Sequence, residues 1–292
     1  MAKVTSNVPT QMVKVQPSQN LPAYLQNRKP MGTELLKEYI VLPRIKVIQK
    51  TAGEAFAQFN TGDVIAIPSN LMIRKNSLTN GKPSPLGGLF IFTPLFFFPS
   101  WCVLNDFKKK GVEPVYLKYT TDRNDPLVAL CKDPKTREMP HPTDPKFTIK
   151  NCEQLNYVCL LEDVGELTSQ PIIMTFMRGS YRMGSDFNAR IRMSNADIFA
   201  RRWVGHSKYI PGSGKGDYYG IEIMRFEDAL LNEEFAAKHQ EESPWATLEQ
   251  INELEKLHLT LAKQYQTQGI KAQEDAEDAV DATVPSAAGN NY

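Results

Sequence analysis

The feature that most restricts the fold of this chain is a series of short apolar segments separated by turn residues. The segments are rich in β-branched and aromatic side chains, and Gly, Pro, Asp and Asn lie between them. Because no helical period intervenes, they predict a mainly β (α+β) fold, an antiparallel β barrel or sandwich over residues 36–226, rather than a doubly wound α/β fold. The predicted strands are Tyr39–Gln49, Asp63–Pro68, Val112–Tyr119, Leu127–Cys131, Leu155–Leu161, Pro171–Met177, Ala189–Met193, Phe199–Val204 and Tyr218–Met224.

A further predicted strand, Phe90–Trp101 (FIFTPLFFFPSW), is unusually rich in aromatic rings and lies in the uncharged segment Pro85–Asn105. Two prolines interrupt it, and its apolar runs are shorter than the roughly 20 residues of a membrane-spanning helix. Alternation along a strand places Phe97 on the opposite face from Phe96 and Phe98. At least one of these rings must therefore meet another layer, a partner or a base, and we expect core or subunit contacts for Phe90, Phe92 and Phe96.

Composition changes at both ends of this β region. Residues 1–35 predict a flexible N-terminal arm, with a short helix at Thr33–Glu38, and residues 270–292 predict a disordered acidic tail. Residues 227–269 have helical spacing and form a predicted helical extension, with an N-cap pair at Ser243-Pro244. The helix after this cap carries an apolar stripe that we expect to pack on the β domain or on a second copy of the chain: Trp245, Leu248, Ile251, Leu254, Leu257, Leu261 and Tyr265.

Charge is divided unevenly along the chain. The excess of Lys and Arg over Asp and Glu is +6 for residues 1–170 and +5 for residues 171–220, but −10 for residues 221–292. A basic body followed by an acidic quarter indicates an anionic partner for the body. Solvated faces without a partner would give the same counts, so this alternative stays open.

Basic and aromatic residues are interleaved in two parts of the chain. Binding of single-stranded nucleic acid needs this mixture, because cations follow the phosphates while exposed rings stack on bases. Any β barrel with inward rings and outward cations would show a similar pattern, and this interpretation also stays open. The candidate nucleic-acid-binding residues are Trp101, Phe107, Lys108, Lys109, Lys110, Tyr116, Tyr119, Arg178, Tyr181, Arg182, Arg190, Arg192, Arg201, Arg202, Trp203, Lys208, Tyr209 and Lys215.

Sequence signatures of catalysis are missing from the chain. It contains no Gly-x-x-x-x-Gly-Lys-Ser/Thr, Gly-x-Ser-x-Gly or His-Glu-x-x-His motif, and Ile210–Gly216 has the wrong glycine spacing for a phosphate loop. We therefore predict no enzymatic activity and no cofactor. A nuclease would need a carboxylate metal cluster, for which turn aspartates are available: Asp122, Asp125, Asp133 and Asp144.

Cysteine usage bears on metal binding and on compartment. Cys131, His141 and Cys152 are candidate zinc ligands, but no Cys-x-x-Cys pair accompanies them, so no metal site is predicted. Four cysteines and an N-terminus without signal-peptide character favour a reducing cytosol over secretion. The chain is accordingly expected to be neither secreted nor membrane-bound.

The order of several segments resembles the single-stranded-DNA-binding proteins of tailed bacteriophages. The resemblance spans roughly residues 40–240 and rests on Leu42–Gln49, the apolar strand ending in Trp101, the cysteine region after Cys131, Pro171–Arg178 and Gly216–Ile223. It implies an oligonucleotide-binding (OB) barrel and non-catalytic, largely sequence-independent binding of single-stranded DNA during phage replication or recombination in the host cytoplasm. It also implies that the tail recruits replication or recombination proteins, through Glu274, Asp275, Glu277, Asp278, Asp281 and Tyr292. The division of charge leaves open that the tail instead screens the basic face.

A second hypothesis comes from a different class of protein. The aromatic strand and the C-terminal helix could instead make subunit contacts in a structural or assembly protein of a virion. The sequence leaves open whether the chain forms a homo-oligomer.

Overall fold

The computed structural model of the chain describes residues 42–50, 52, 54–76, 78–79, 82–83, 87–107, 115–211 and 218–268. The predicted N-terminal arm, the helix at Thr33–Glu38 and the acidic tail lie outside these residues. The described part of the chain is mainly β with a few helices, which confirms the predicted fold class. Its strands are β1 Arg44–Val47, β2 Val64–Ile67, β3 Leu71–Arg74, β4 Leu78–Thr79, β5 Lys82–Pro83, β6 Gly87–Phe107, β7 Val115–Thr120, β8 Glu138–Pro140, β9 Phe147–Leu161, β10 Pro171–Met177, β11 Trp203–Ile210 and β12 Tyr218–Arg225. Its helices are α1 Leu127–Lys132, α2 Tyr181–Ser194, α3 Phe226–Ala229, α4 Glu233–His239 and α5 Leu248–Gln268.

Ten strands form one mixed sheet in the order β12-β11-β6-β9-β10-β1-β2-β3, with β7 on β6 and β8 on β9. The pairing of β1 with β10 is parallel, and the other ladders of this sheet are antiparallel. The sheet curves around one core, but the described strands do not close it into a barrel, so the barrel alternative of the prediction is wrong. The predicted antiparallel pairing is also corrected, because the sheet is mixed. A side-chain hydrogen bond links β3, the last strand of this order, to β6: Arg74 Nε donates to the Leu89 carbonyl at 2.8 Å.

Helix α2 fills the concave side of the curved sheet. Phe187 lies at its centre, with its ring centroid 5.8 Å from Phe92, 4.9 Å from Tyr157 and 5.1 Å from Trp203. The predicted strand Ala189–Met193 is therefore wrong. Alternating arginines there imitate a strand, but apolar residues that recur every four positions give the segment a helical face that the core buries.

Other predicted elements also differ from the structure. Leu127–Cys131, predicted as a strand, is helix α1, which covers Trp101 on the long ribbon of β6 and β9. The predicted strand Phe199–Val204 is shifted, since β11 begins at Trp203. No helix among the described residues is long and apolar enough to span a membrane.

The helical extension packs on the convex side of the sheet. Helices α3 and α4 cover β11 and β12, and α5 covers β6, β9 and β10. Helix α5 begins at Leu248 rather than after Ser243-Pro244, because Thr247 and Gln250 form a reciprocal capping box. Most of the predicted stripe is packed, but Trp245 and Leu248 remain 43% and 76% exposed.

A register shift in β6 sorts the aromatic rings of Phe90–Trp101 between the two sides of the sheet. The ladder with β9 shifts between Pro94 and Phe96. Such a shift turns the following side chains to the opposite face. Phe90 and Phe92 consequently lie in the concave core, whereas Phe96 and Phe98 pack with α5.

The predicted separation of Phe97 from its two neighbours is confirmed. Phe97 lies on the concave side, with its ring centroid 5.1 Å from Tyr157. On the convex side, His258 Nδ1 of α5 donates to the Leu95 carbonyl at 2.7 Å, at the point where the register shifts. The remaining rings, Phe96 and Phe98, are therefore covered by helix α5 of the same chain.

Candidate nucleic-acid interface

Tyr209, near the end of β11, is the exposed ring of the candidate site. Its side chain is 39% exposed, and its ring makes an edge contact with Tyr219 at 5.5 Å between centroids. Lys50 Nζ lies 5.6 Å from the centre of the same ring. A ring that is held on one edge and accompanied by a cation can stack on a base while the cation meets a phosphate.

Tyr218, which precedes the Tyr219 partner of Tyr209, contacts the turn that follows β10. It begins β12 opposite Ile210, the residue next to Tyr209. The Tyr218 hydroxyl donates to the Gly179 carbonyl at 2.8 Å, and its ring atom Cζ is 2.9 Å from the position of a Cβ on Gly179. Since Gly179 follows Arg178, the exposed Arg178 lies beside Tyr218.

Helix α2 begins directly after this turn and presents Arg182. This arginine is exposed and forms no ion pair with any of the described residues. Its neighbour Tyr181 points elsewhere, and its hydroxyl donates to Glu153 Oε2 at 3.0 Å. Burial, together with the hydrogen bond and charge of Glu153, raises the pKa of Tyr181 to about 12, so the phenol stays protonated. Tyr181 therefore holds the start of α2 in place.

Lys208 precedes Tyr209 on β11, so its side chain lies on the opposite face of the strand pair from the Tyr209 ring. Lys208 Nζ lies 2.6 Å from Glu222 Oε1, and the other carboxylate oxygen of Glu222 lies 3.1 Å from His206 Nε2. Burial would raise the pKa of Glu222, but the hydrogen bond and charge of Lys208 hold it below its ordinary value. Burial lowers the pKa of His206, which favours its neutral form. We call the candidate residues Lys50, Arg178, Arg182, Lys208, Tyr209 and Tyr218 the Tyr209 surface, although Lys208 and Tyr218 lie on the opposite face of the β11–β12 ladder from Tyr209.

Two other predicted phosphate ligands lie further along α2. Arg190 Nη1 donates to the Ile223 carbonyl at 2.6 Å, which satisfies a backbone group of the edge strand β12. Gln49 covers the same strand, since its amide accepts from Tyr219 N at 2.9 Å and donates to Tyr219 O at 2.8 Å. Arg192 is exposed in the last turn of α2, about 15 Å along the helix axis from Arg182 at 1.5 Å per residue.

Arg201 and Arg202 are used within the fold. Arg202 Nε and Nη2 donate to the two oxygens of Glu162 at 3.0 and 2.5 Å, and Nη2 also donates to Glu242 at 2.6 Å. Arg201 Nη2 donates to Glu227 Oε2 at 2.5 Å, and its guanidinium lies over two indole rings. With these partners the two arginines cannot meet phosphates unless the network opens, and we leave them out of the candidate interface.

Both tryptophans among the candidate residues are core side chains. Trp101 is 3% exposed and Trp203 is 2% exposed, so neither ring can stack on a base in this structure. Tyr119 packs beside Cys102 and Leu104 on the ribbon. The side chains of Phe107 and Tyr116, and the whole of Lys108–Lys110 and Lys215, lie outside the described part, so their predicted roles stay predictions.

The structure brings two of the candidate zinc ligands, Cys131 and Cys152, near each other and near Cys102. The described residues contain no group of three or more His, Cys, Asp or Glu side chains that could hold a metal ion. His141 Nδ1 instead accepts from Asp144 N at 3.0 Å within its own loop. The four cysteines, all of them described, are buried and form no disulfide.

No family model matches the chain, and no curated protein or solved structure shows a significant similarity to it. The resemblance to phage single-stranded-DNA-binding proteins therefore rests on the residue patterns alone. The structure adds Lys50 and Tyr218 to the candidate residues. Sequence reasoning missed Lys50 because its contact with Tyr209 joins parts of the chain about 160 residues apart. Tyr218 could have been found, because it belongs to the same basic and aromatic segment as Tyr209.

Proposed function

We propose that the protein binds single-stranded DNA through the Tyr209 surface, largely without sequence preference and without catalysis. The observation that carries this proposal is the exposed ring of Tyr209 with Lys50 Nζ 5.6 Å from its centre, at the end of a strand whose neighbouring segments carry further cations. Lys50 follows β1, Arg178 and Arg182 flank the start of α2, and Lys208 lies on β11.

The proposed chemistry divides between the ring and the cations. Tyr209 stacks on a base, which tolerates any sequence because every base has a π-face. Arg182 and its neighbouring cations attract phosphates, which releases condensed counterions and makes affinity fall with salt. Lys208 contributes less charge than Arg182, because Glu222 already neutralises part of it.

Fluorescence anisotropy with a labelled oligo-dT across a salt series tests this function. We expect affinity that weakens steeply as salt rises and that exceeds the affinity for duplex DNA of the same length. Affinity that is absent, or that does not change with salt, would refute the proposal. Large assemblies in size-exclusion chromatography together with absent DNA affinity would support the virion assembly role instead.

Two variants separate the roles of ring and cation. Tyr209→Ala removes one stacked ring and should weaken binding by about 1–3 kcal/mol with little change of the salt slope. Arg182→Ala removes one phosphate contact and should weaken binding and reduce the slope by about 0.7. Arg192→Ala is the matched control, because it removes an exposed arginine from the other end of the same helix. An equal loss in all three variants would contradict the assignment to this surface.

The wider biological role is also a proposal. The resemblance supports action in phage DNA replication or recombination, in the host cytoplasm, with partner proteins recruited by the tail. We further propose that the curved part of the sheet is a variant of the OB barrel, because one core joins β1–β3, β6 and β9–β12. Deletion of residues 271–292 tests the tail: tighter DNA binding would indicate screening of the basic face, and unchanged affinity would favour partner recruitment.

A further inference from the structure

Two buried polar side chains on the Tyr209 side of the sheet have no hydrogen-bond partner among the described residues. Ser207 is 1% exposed, and its hydroxyl meets neither a donor nor an acceptor. Asn76 is 8% exposed, and its amide oxygen Oδ1 lacks a donor. A buried polar group without a partner costs stability, so each such group in a folded protein needs an explanation. A ligand that hydrogen-bonds to both groups is one explanation.

Strand β11 places Ser207 on the same face as Tyr209. Side chains alternate along a strand, so Gly205, Ser207 and Tyr209 share one face. This face is the concave one, because a Cβ on Gly205 would clash with the Phe90 ring of the concave core. The pairing of β11 with β12 then places Ser207 diagonally opposite Tyr219, the ring that Tyr209 contacts.

Asn76, which follows β3, lies next to the same tyrosine ring. A Cβ on Gly62 would clash with Asn76 Nδ2 and would lie 2.9 Å from Tyr219 Cε1, so the amide and the ring are neighbours. Asn76 Nδ2 donates to the Thr61 carbonyl at 3.1 Å, and the backbone N–H of Asn76 donates to the buried Asp63 at 2.7 Å. The bond to Thr61 determines which end of the amide is the donor. Oδ1 is therefore an acceptor held in a fixed position.

Strand β6 begins between these two residues. Gly87 is the register partner of Ser207, and the next residue, Gly88, lies against the carbonyl of Lys75, one residue before Asn76. Gly88 has a φ of 44°, and a Cβ there would lie 2.5 Å from the Lys75 carbonyl oxygen, so the close approach requires glycine. Ser207 and Asn76 consequently flank the start of β6 from its two sides.

The chemistry of the two groups indicates the kind of ligand. An amide oxygen accepts a hydrogen bond, and a hydroxyl donates or accepts one. Each of the four bases offers a donor and an acceptor on its Watson–Crick edge, which is free in a single strand and occupied in a duplex. We propose that Asn76 Oδ1 and the Ser207 hydroxyl bind the Watson–Crick edge of an unpaired base beside Tyr209. This inference rests on the proposed DNA-binding function and gives that surface a reason to prefer single strands.

N3-methylthymidine tests the inference, because its methyl group removes the N3–H donor of thymine and leaves the ring and the phosphates in place. In fluorescence anisotropy, an oligonucleotide made of N3-methylthymidine should bind about tenfold more weakly than oligo-dT, since Oδ1 would lose its donor. Asn76→Ala should bind oligo-dT more weakly and should no longer distinguish the two oligonucleotides. Asn252→Ala, which removes an exposed amide from α5, is the control and should distinguish them as the wild type does.

Ser207→Ala separates a ligand-binding hydroxyl from a structural one. Removal of a buried hydroxyl that has no partner in the fold should leave the urea midpoint unchanged or raise it. The same change should weaken binding to oligo-dT by about fivefold, the effect of one lost hydrogen bond. This variant also tests the site if Asn76→Ala does not fold.

Three results would overturn the inference while the proposed function stands. The wild type could bind both oligonucleotides equally well, or Asn76→Ala could still distinguish them, in which case the methyl group acts elsewhere. A lower urea midpoint together with unchanged affinity for Ser207→Ala would show that this hydroxyl serves the fold. Failure of the wild type to bind oligo-dT at any salt concentration would instead refute the DNA-binding function itself.

Discussion

Replacement of Arg202 by alanine should destabilise the fold and leave DNA binding nearly unchanged. The Arg202 side chain has 17% of its surface exposed and bridges two carboxylates, Glu162 and Glu242, that lie 40 residues before and 40 residues after it in the chain. It also donates to the Ser243 carbonyl at 3.0 Å and lies 4.8 Å from the Phe226 ring. Its removal would leave two carboxylates close together without a cation.

The size of the effect follows from burial. Loss of one partner from a fully buried ion pair costs about 3–5 kcal/mol. Glu162 and Glu242 have 33% and 39% of their side-chain surface exposed, so water can replace part of what Arg202 supplies. We therefore expect a loss of about 2–3 kcal/mol in the free energy of unfolding. With a urea m-value of about 3 kcal/mol/M, the midpoint should fall by about 1 M.

Urea unfolding followed by tryptophan fluorescence measures this loss, because Trp101 and Trp203 are buried in the native state. Anisotropy with oligo-dT, at a urea concentration where the variant remains folded, measures binding. Arg192→Ala is the control, since this exposed arginine should change the midpoint by less than about 0.2 M. An unchanged midpoint together with a loss of DNA affinity for Arg202→Ala would refute the assignment of Arg202 to the fold.

Three further predictions concern packing, pH and the strand irregularity of β6. Gly205→Ala should cost about 1–3 kcal/mol, measured by urea unfolding, because a Cβ there would lie 2.4 Å from the Phe90 ring. The pKa of His206 is lower in the folded protein than in the unfolded chain, so the unfolded chain binds its proton first as pH falls, and the free energy of unfolding should decrease below about pH 6.5. His206→Gln should make urea unfolding measured from about pH 7 to pH 5 less dependent on pH. An unchanged pH dependence in this variant would contradict the assignment. His258→Ala leaves the Leu95 carbonyl without its donor and should cost about 1–2 kcal/mol by the same urea assay, with an unchanged midpoint counting against it.

Several features of the fold could be predicted from the sequence because they depend on local backbone geometry. Short apolar segments bounded by turn residues, such as Pro171–Met177, became strands, since a run of this length and composition favours a buried extended backbone. The spacing of Ile251, Leu254 and Leu257 likewise predicted the face by which α5 packs. The concentration of basic and aromatic residues in 174–219 similarly pointed to Arg178, Arg182 and Tyr209 before their positions were known.

Only the tertiary structure decided which of the candidate residues can meet a ligand. Arg201 and Arg202 look like their exposed counterparts in the sequence, but their carboxylate partners are 26 to 40 residues away in the chain. The register shift after Pro94 likewise determines which aromatic rings α5 buries, and no local period encodes it. The physical reason is that strand and helix periods arise from the backbone of a few consecutive residues, whereas burial and ion pairing depend on which distant segments the fold brings together.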